Sequence, residues 1–197
     1  APASTGENRI RLRKRGSGVV YFSATAEYYD KAGPFERTGS RKLAITREYF
    51  SLAPVQAGKR IVYRETPFSG QAKPGDLLLV RVNVAGSADW RYLVVEDPLP
   101  AGVEAVRQTS LYSLERRRQF WDGSRREYRD DRVVFFQESF AQGHYEFLYL
   151  LKVTTPGVFR AMPAQISAMY VPEARASSLP QTLTVGSDTP ESAGRNR

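Results

Sequence analysis

Residues 77–85 read LLLVRVNVA and residues 145–153 read YEFLYLLKV. In each stretch every second side chain is apolar: Leu78, Val80, Val82 and Val84 in the first, Phe147, Tyr149 and Leu151 in the second. A period of two is the signature of a strand that turns one face to a core. These seven side chains are therefore expected to point into one core, with Arg81 and Asn83 on the opposite face. Strand signals recur at 19–29 (VVYFSATAEYY), 92–96, 133–136, 158–161, 164–169 and 182–185. Residues 42–50 (KLAITREYF) also alternate, with Leu43, Ile45, Arg47 and Tyr49 sharing a face.

Turn chemistry separates these runs. Lys73-Pro-Gly-Asp76 is a proline–glycine turn that feeds a strand, and Ala85-Gly-Ser-Ala-Asp89 reads as a hairpin turn. Phe140-Ala-Gln-Gly-His144 and Asp130-Asp131 mark two more. Turns at intervals of roughly 8–15 residues are the pattern of a β-sandwich. The fold class is thus all-β, an antiparallel two-sheet β-sandwich of roughly seven to nine strands. Residues 112–120 are the one stretch with helical features, with Ser113 as a cap and Glu115 and Arg118 spaced to pair. Trp121-Asp-Gly123 ends it early, so a protruding basic hairpin arm is the better reading.

With 197 residues and 41% hydrophobic content, the chain can bury one domain-sized core. No apolar run approaches the ~20 residues that span a bilayer, so no direct membrane insertion is expected. Residues 1–8 lack the basic start and apolar middle of a signal peptide, and the start reads as a processed or excised end. The absence of cysteine excludes disulfides, thiolate metal sites and a cysteine nucleophile. The net charge is +8, with arginines gathered at 9–15 (RIRLRKR) and 116–126 (RRRQFWDGSRR). Such runs are read first as solvated loops and strand edges, or as a docking surface for an acidic neighbour. They are separated in sequence and carry no nucleic-acid signature, so no nucleic acid is expected as a partner.

Catalytic constellations are not visible. His144 is the single histidine and stands in a turn, with no nucleophile and orienting group at a local spacing. The acidic pairs Glu96-Asp97 and Asp130-Asp131 lie near turns and read as turn chemistry or partners for arginines. Gly16-Ser-Gly18 lacks the context of a phosphate loop. Trp90 is expected in or near the core. The chain is read as a non-enzyme that needs no cofactor and no metal.

Two segments carry a resemblance. Residues 94–102 (VVEDPLPAG) are a strand that runs into a proline-stiffened corner. Residues 155–173 (TPGVFRAMPAQISAMYVPE) are a proline-broken strand pair that presents Met169 and Tyr170 ahead of Pro172. With Gly75-Asp76, 129–136 (RDDRVVFF) and 143–156 (GHYEFLYLLKVTTP) in this order, the chain resembles the C-terminal macroglobulin-like domain of bacterial alpha-2-macroglobulins, large periplasmic protease traps. Residues 16–29 resemble the final strands of the small β-domain that carries the thioester domain in those proteins.

Residues 1–8 and 187–197 are small and polar without a core pattern and are read as disordered ends; the resemblance implies that 41–186 form the macroglobulin-like sandwich and that the strands in 9–40 can belong to the preceding small β-domain. In that family a Cys–Gln thioester sits in a separate helical domain. This chain has no cysteine, so the resemblance implies a supporting role within an endopeptidase inhibitor. The loop that shields the thioester corresponds by position to Met169 and Tyr170, with Pro172 restricting the backbone at Val171. From the residues alone, Met169 and Tyr170 fit a strand end packed on its own core equally well. The implied partners are the thioester domain and other macroglobulin domains of the same chain, and target proteases through the whole inhibitor; the implied location is the periplasm. The alternative function is a sandwich module of a bacterial surface or adhesion protein. Circular dichroism of the chain is expected to show β structure with little helix, and a helix-dominated spectrum contradicts the fold reading.

Overall fold

The computed structural model describes residues 11–22, 42–116 and 123–186. The chain divides into two units, 1–34 and 35–197. In the first, residues 11–22 carry a bend at 16–18 and no strand. The rest of the expected 19–29 strand, the tails 1–8 and 187–197, and the basic stretch 117–122 with Trp121 lie outside the described residues.

The second unit holds thirteen strands among its described residues. In chain order they are β1 (Leu43–Ala57), β2 (Arg60–Pro67), β3 (Gln71–Ala72), β4 (Leu77–Gly86), β5 (Trp90–Pro98), β6 (Val103–Ala105), β7 (Arg125–Tyr128), β8 (Arg132–Phe140), β9 (Gly143–Val153), β10 (Gly157–Ala161), β11 (Gln165–Ala168), β12 (Val171–Ser177) and β13 (Gln181–Val185). Two five-stranded antiparallel sheets, β2-β1-β4-β9-β6 and β12-β11-β5-β8-β7, make the sandwich. A third sheet, β10-β13-β3, includes one parallel pair, Thr184↔Gln71 and Val185↔Ala72. The strands exceed the seven to nine expected because β2, β3, β6, β7 and β12 are not among the strand signals read from the sequence.

The alternation in β4 and β9 does what the sequence implies. Leu78, Val80, Val82, Val84, Phe147, Tyr149 and Leu151 all lie in one buried cluster. They meet Leu93, Val95, Val133, Phe135 and Ile166 of the facing sheet. Each such side chain stabilises the fold by roughly 1.5–3 kcal/mol relative to exposure. Trp90 packs half-buried against this core.

The unbroken apolar runs in β4 and β9 have a separate cause. Leu79, Leu148 and Leu150 face the other way and are buried with Leu52 and Leu114 in a second cluster. The segment after β6 lies over that face. Among its described residues the one helical turn is a short 3-10 turn, Thr109–Leu111. The helix considered for 112–120 is not formed in its described part. Instead Leu114 bridges to Tyr63 in parallel, Ser113 and Glu115 exchange backbone hydrogen bonds with Tyr63, and Arg64 pairs with Glu115 at 2.8 Å. The β2 edge is thereby covered over part of its length, which removes a site for unwanted strand pairing.

The turn at 85–89 is not a hairpin. It carries the chain from β4 in one sheet to β5 in the other, and 140–144 carries it back from β8 to β9. The two crossovers lock together. The Asp89 carboxylate accepts a hydrogen bond from the Gln142 amide at 2.7 Å. A Cβ on Gly86 would lie 2.6 Å from the Phe140 ring, so only glycine lets the crossover pass. The corners of the two signature segments meet in the same manner. Phe159 packs on both Gly102, at φ +85, and Gly157, where an added Cβ would stand 2.3 and 2.8 Å from its ring.

One polar cluster is sealed inside the core. Arg47 of β1 follows the alternation of Leu43, Ile45 and Tyr49 and is therefore carried inward. Its side chain and that of Asp97 of β5 are both fully buried and pair at 2.5 Å. Asp97 also accepts a hydrogen bond from the Tyr149 hydroxyl at 2.8 Å. Arg47 further donates to the carbonyls of Met162 (2.8 Å) and Ala161 (3.2 Å) and to Gln181 (3.3 Å). The cluster thus joins the two large sheets, β13 and the segment between β10 and β11. Burial pushes the Asp97 carboxyl above the usual carboxylate range, against the pull of Arg47 and the Tyr149 hydroxyl. Burial also works against the charge on Arg47, but Asp97 beside it keeps the guanidinium firmly protonated.

Removing one member leaves a buried charge, which typically costs about 3–5 kcal/mol. Asp97→Asn leaves a guanidinium that cannot lose its proton, so the stranded charge persists throughout the acidic range and lowering the pH does not relieve it. Arg47→Met leaves a carboxyl that can take up a proton. Its folded-state pKa then lies further above the unfolded value, so stability is recovered as pH falls and lost as pH rises through the folded value. Denaturant unfolding of both variants from mildly acidic to neutral pH tests this. Equal losses with the same pH dependence contradict the assignment of a charged bolt.

Candidate functional site

β11 and β12 form a hairpin at the edge of the second sheet. Ile166, Ala168, Ala174 and Ala176 turn inward and are buried, and the small alanines let the hairpin lie close on the core. The turn is the pair Met169-Tyr170, since Ala168 is the register partner of Val171. Neither turn residue has a positive φ, so the turn is not of the mirror-image kind that matches strand twist. The misfit is absorbed next to it. The register passes from Ala168↔Val171 to Ser167↔Arg175, which leaves Pro172, Glu173 and Ala174 in a bulge on β12. A proline, lacking an N–H, fits a bulge without loss of a ladder bond.

The hairpin raises its two turn residues into solvent. Met169 is 52% exposed and Tyr170 75% exposed, with Val171 beside them also exposed. Tyr170 therefore does not pack on the core of its own domain. Its ring stands edge-on to that of Tyr92, with centroids 5.5 Å apart and planes at 90°. The Met169 amide donates to the Tyr92 carbonyl at 3.0 Å, at the point where the β11–β5 ladder ends. Tyr92 is the sole non-glycine residue with positive φ (+56°) among the described residues. A groove of about 330 Å³ runs over β5, β8 and β7, lined by Tyr92, Leu93, Arg125, Glu127, Phe136 and Met169.

The other residues weighed from sequence are dispersed. His144 is exposed at the start of β9. Glu96 pairs with Arg132 at 3.1 Å, Asp131 with Arg132 at 2.7 Å and Asp130 with Arg107 at 3.5 Å, all at the surface, where such pairs add little stability. Among the described residues, no three His, Asp or Glu side chains gather as metal ligands. What the tip offers is an apolar, aromatic surface on a braced support. Such a surface suits exclusion of water rather than bond making. Met169, Tyr170 and Pro172 were identified through their place in a family pattern. Tyr92 was missed, and Asp97, read as turn chemistry or an arginine's partner, was not placed with Arg47 in the core. Arg47 had one signal, a charged residue in phase with apolar neighbours. Tyr92 had none.

Comparison with known proteins follows the same outline. The family model of the bacterial alpha-2-macroglobulin MG10 domain matches residues 43–173. The alpha-2-macroglobulin homolog of Nostoc sp. is 29% identical over 176 residues, 85% of this chain and 9% of that protein. The alpha-2-macroglobulin of Thermotoga maritima is 28% identical over 201 residues, 88% of this chain and 12% of that protein. The crystal structure of native alpha-2-macroglobulin from Escherichia coli, from domain MG7 to the C-terminus, superimposes with a TM-score of 0.63 at 26% identity, covering 80% of this chain and 25% of that one. The chain thus spans between 9% and 12% of the length of these two curated relatives. It belongs to the bacterial alpha-2-macroglobulin MG10 domain family.

Proposed function

We propose that this domain is the non-catalytic C-terminal module of a bacterial alpha-2-macroglobulin-type endopeptidase inhibitor, and that its Met169–Tyr170 tip shields a thioester held in another domain of the same protein. The observation that carries this reading is the tip itself: two large apolar side chains at the end of a hairpin, exposed in the isolated domain. Exposed apolar groups at so defined a place call for a partner surface. A thioester is an activated acyl group whose lifetime depends on the exclusion of water and amines. An aromatic ring beside a flexible thioether makes an effective apolar cover. The chain contains no cysteine, so the thioester lies elsewhere.

The partners in this reading are the thioester domain and the other macroglobulin domains of the same chain, and proteases are met only by the whole inhibitor. The exposed apolar residues Val19, Val20, Tyr21 and Phe22 fit a strand completed by a preceding small β-domain. The periplasm is the location that goes with such a trap.

The test uses the full-length protein. Tyr170→Ala is expected to raise the reaction of the thioester with methylamine, without any protease, by about tenfold or more, equivalent to a barrier lowered by ~1.4 kcal/mol. Because Tyr170 is exposed, the unfolding free energy of the domain is expected to change by only about 0.5 kcal/mol. A wild-type protein without a methylamine-reactive thioester, or a variant as inert as wild type, overturns the reading.

A further inference from the structure

We propose that Tyr92 is a positioning residue for the Met169–Tyr170 tip, a strained strut that fixes where the tip stands; this rests on the lid reading above for its functional meaning. The left-handed region is unfavourable for a bulky L residue, and glycine or asparagine would occupy it at lower cost. Strain of this kind persists where the surroundings impose it and tends to gather at functional places. Here its local origin is visible. Trp90 and Leu93 both pack against the core, yet they are three residues apart on one strand. Simple alternation would put them on opposite faces. The turn in the backbone at Tyr92 resets the phase between them, while the ladder with β8 keeps the same register on both sides, Trp90↔Phe140 and Leu93↔Gln137.

Resetting the phase alone does not require a tyrosine. What the side chain adds lies on the tip side. The ring supplies the edge-on contact with Tyr170, while the turned backbone directs the Tyr92 carbonyl to the Met169 amide. Both residues of the tip are therefore held by one residue of β5, a strand fixed in the core by Leu93, Val95 and Asp97. The tip would otherwise be a two-residue turn next to a bulge, with only its own short strands to aim it.

Three variants separate the possibilities: Tyr92→Gly, which relieves the backbone and deletes the ring; Tyr92→Phe, which keeps the ring; and Tyr170→Ala as the reference. In the full-length protein, Tyr92→Gly is expected to raise methylamine reactivity by roughly two- to tenfold, the range an edge-to-face aromatic pair can supply. Tyr92→Phe is expected to behave as wild type. The melting temperature of Tyr92→Gly is expected not to fall, because strain relief offsets the lost contact. In the 197-residue chain, the ring-proton NMR shifts of Tyr170 are expected to move toward solvent-exposed values in Tyr92→Gly and to stay in Tyr92→Phe. If Tyr170→Ala raises reactivity but Tyr92→Gly changes neither reactivity nor the Tyr170 shifts, the strut is overturned and the lid stands. If Tyr170→Ala leaves the thioester inert while Tyr92→Gly moves the Tyr170 shifts, the lid is overturned and the strut stands. A Tyr92→Gly variant that melts far below wild type shows a residue of the core and overturns the strut.

Discussion

A guanidinium buried in a β-sandwich dictates much of its surroundings. Arg47 is carried inward by the alternation of β1, and its charge can be held there only if every donor finds an acceptor. Asp97 supplies the counter-charge from the opposite sheet, Tyr149 satisfies a second carboxylate oxygen, and the carbonyls of Ala161 and Met162 take two more guanidinium contacts. The pair contributes less net stability than its geometry suggests, because desolvation offsets most of the attraction. Its consequence is alignment. A register slip in β1 or β5 would strand a charge in the core, so the arrangement of both sheets and of the segment leading to β11 is tied to one contact set. That segment runs directly into the hairpin that raises Met169 and Tyr170.

The signature segments of the sequence find their physical reasons in the same region. In VVEDPLPAG, Asp97 is the buried counter-ion, and Gly102 makes room for Phe159. In TPGVFRAMPAQ, Gly157 yields space to that same ring, and the Ala161 and Met162 carbonyls meet Arg47. Two stretches more than fifty residues apart thus meet at one aromatic side chain and share Arg47 of β1 as a common polar partner. Their order and composition follow from that packing. The tip at 169–170 lies outside this shared packing, which is why its apolar side chains demand another explanation.

Sequence reasoning reached the sandwich because alternation in β1, β4 and β9 is strong and the burial of each strand follows it. It misjudged the connection at 85–89 because turn chemistry shows that a chain turns, not which sheet it joins next. It saw helical features in 112–120, though it favoured a hairpin arm, because capping and charge spacing are local, whereas the partner that extends the described part of this stretch, Tyr63, lies in β2. The second apolar cluster was hidden in plain view, since LLLV and FLYLL signal burial on two faces. Met169 and Tyr170 were singled out by a family pattern. Their exposure is a property of the hairpin geometry, and the kink at Tyr92 leaves no mark in residue type.

The domain is a β-sandwich that raises a small apolar tip into solvent, and the proposed role gives that tip a partner. The most direct measurement replaces Tyr170 by a photoreactive phenylalanine analogue in the full-length protein and maps the crosslinked peptide by mass spectrometry. The account predicts that crosslinks form within the same chain, to residues flanking the thioester cysteine and glutamine, and that they disappear once a protease has triggered the trap. Crosslinks confined to other macroglobulin domains, or the same yield before and after proteolysis, would contradict it.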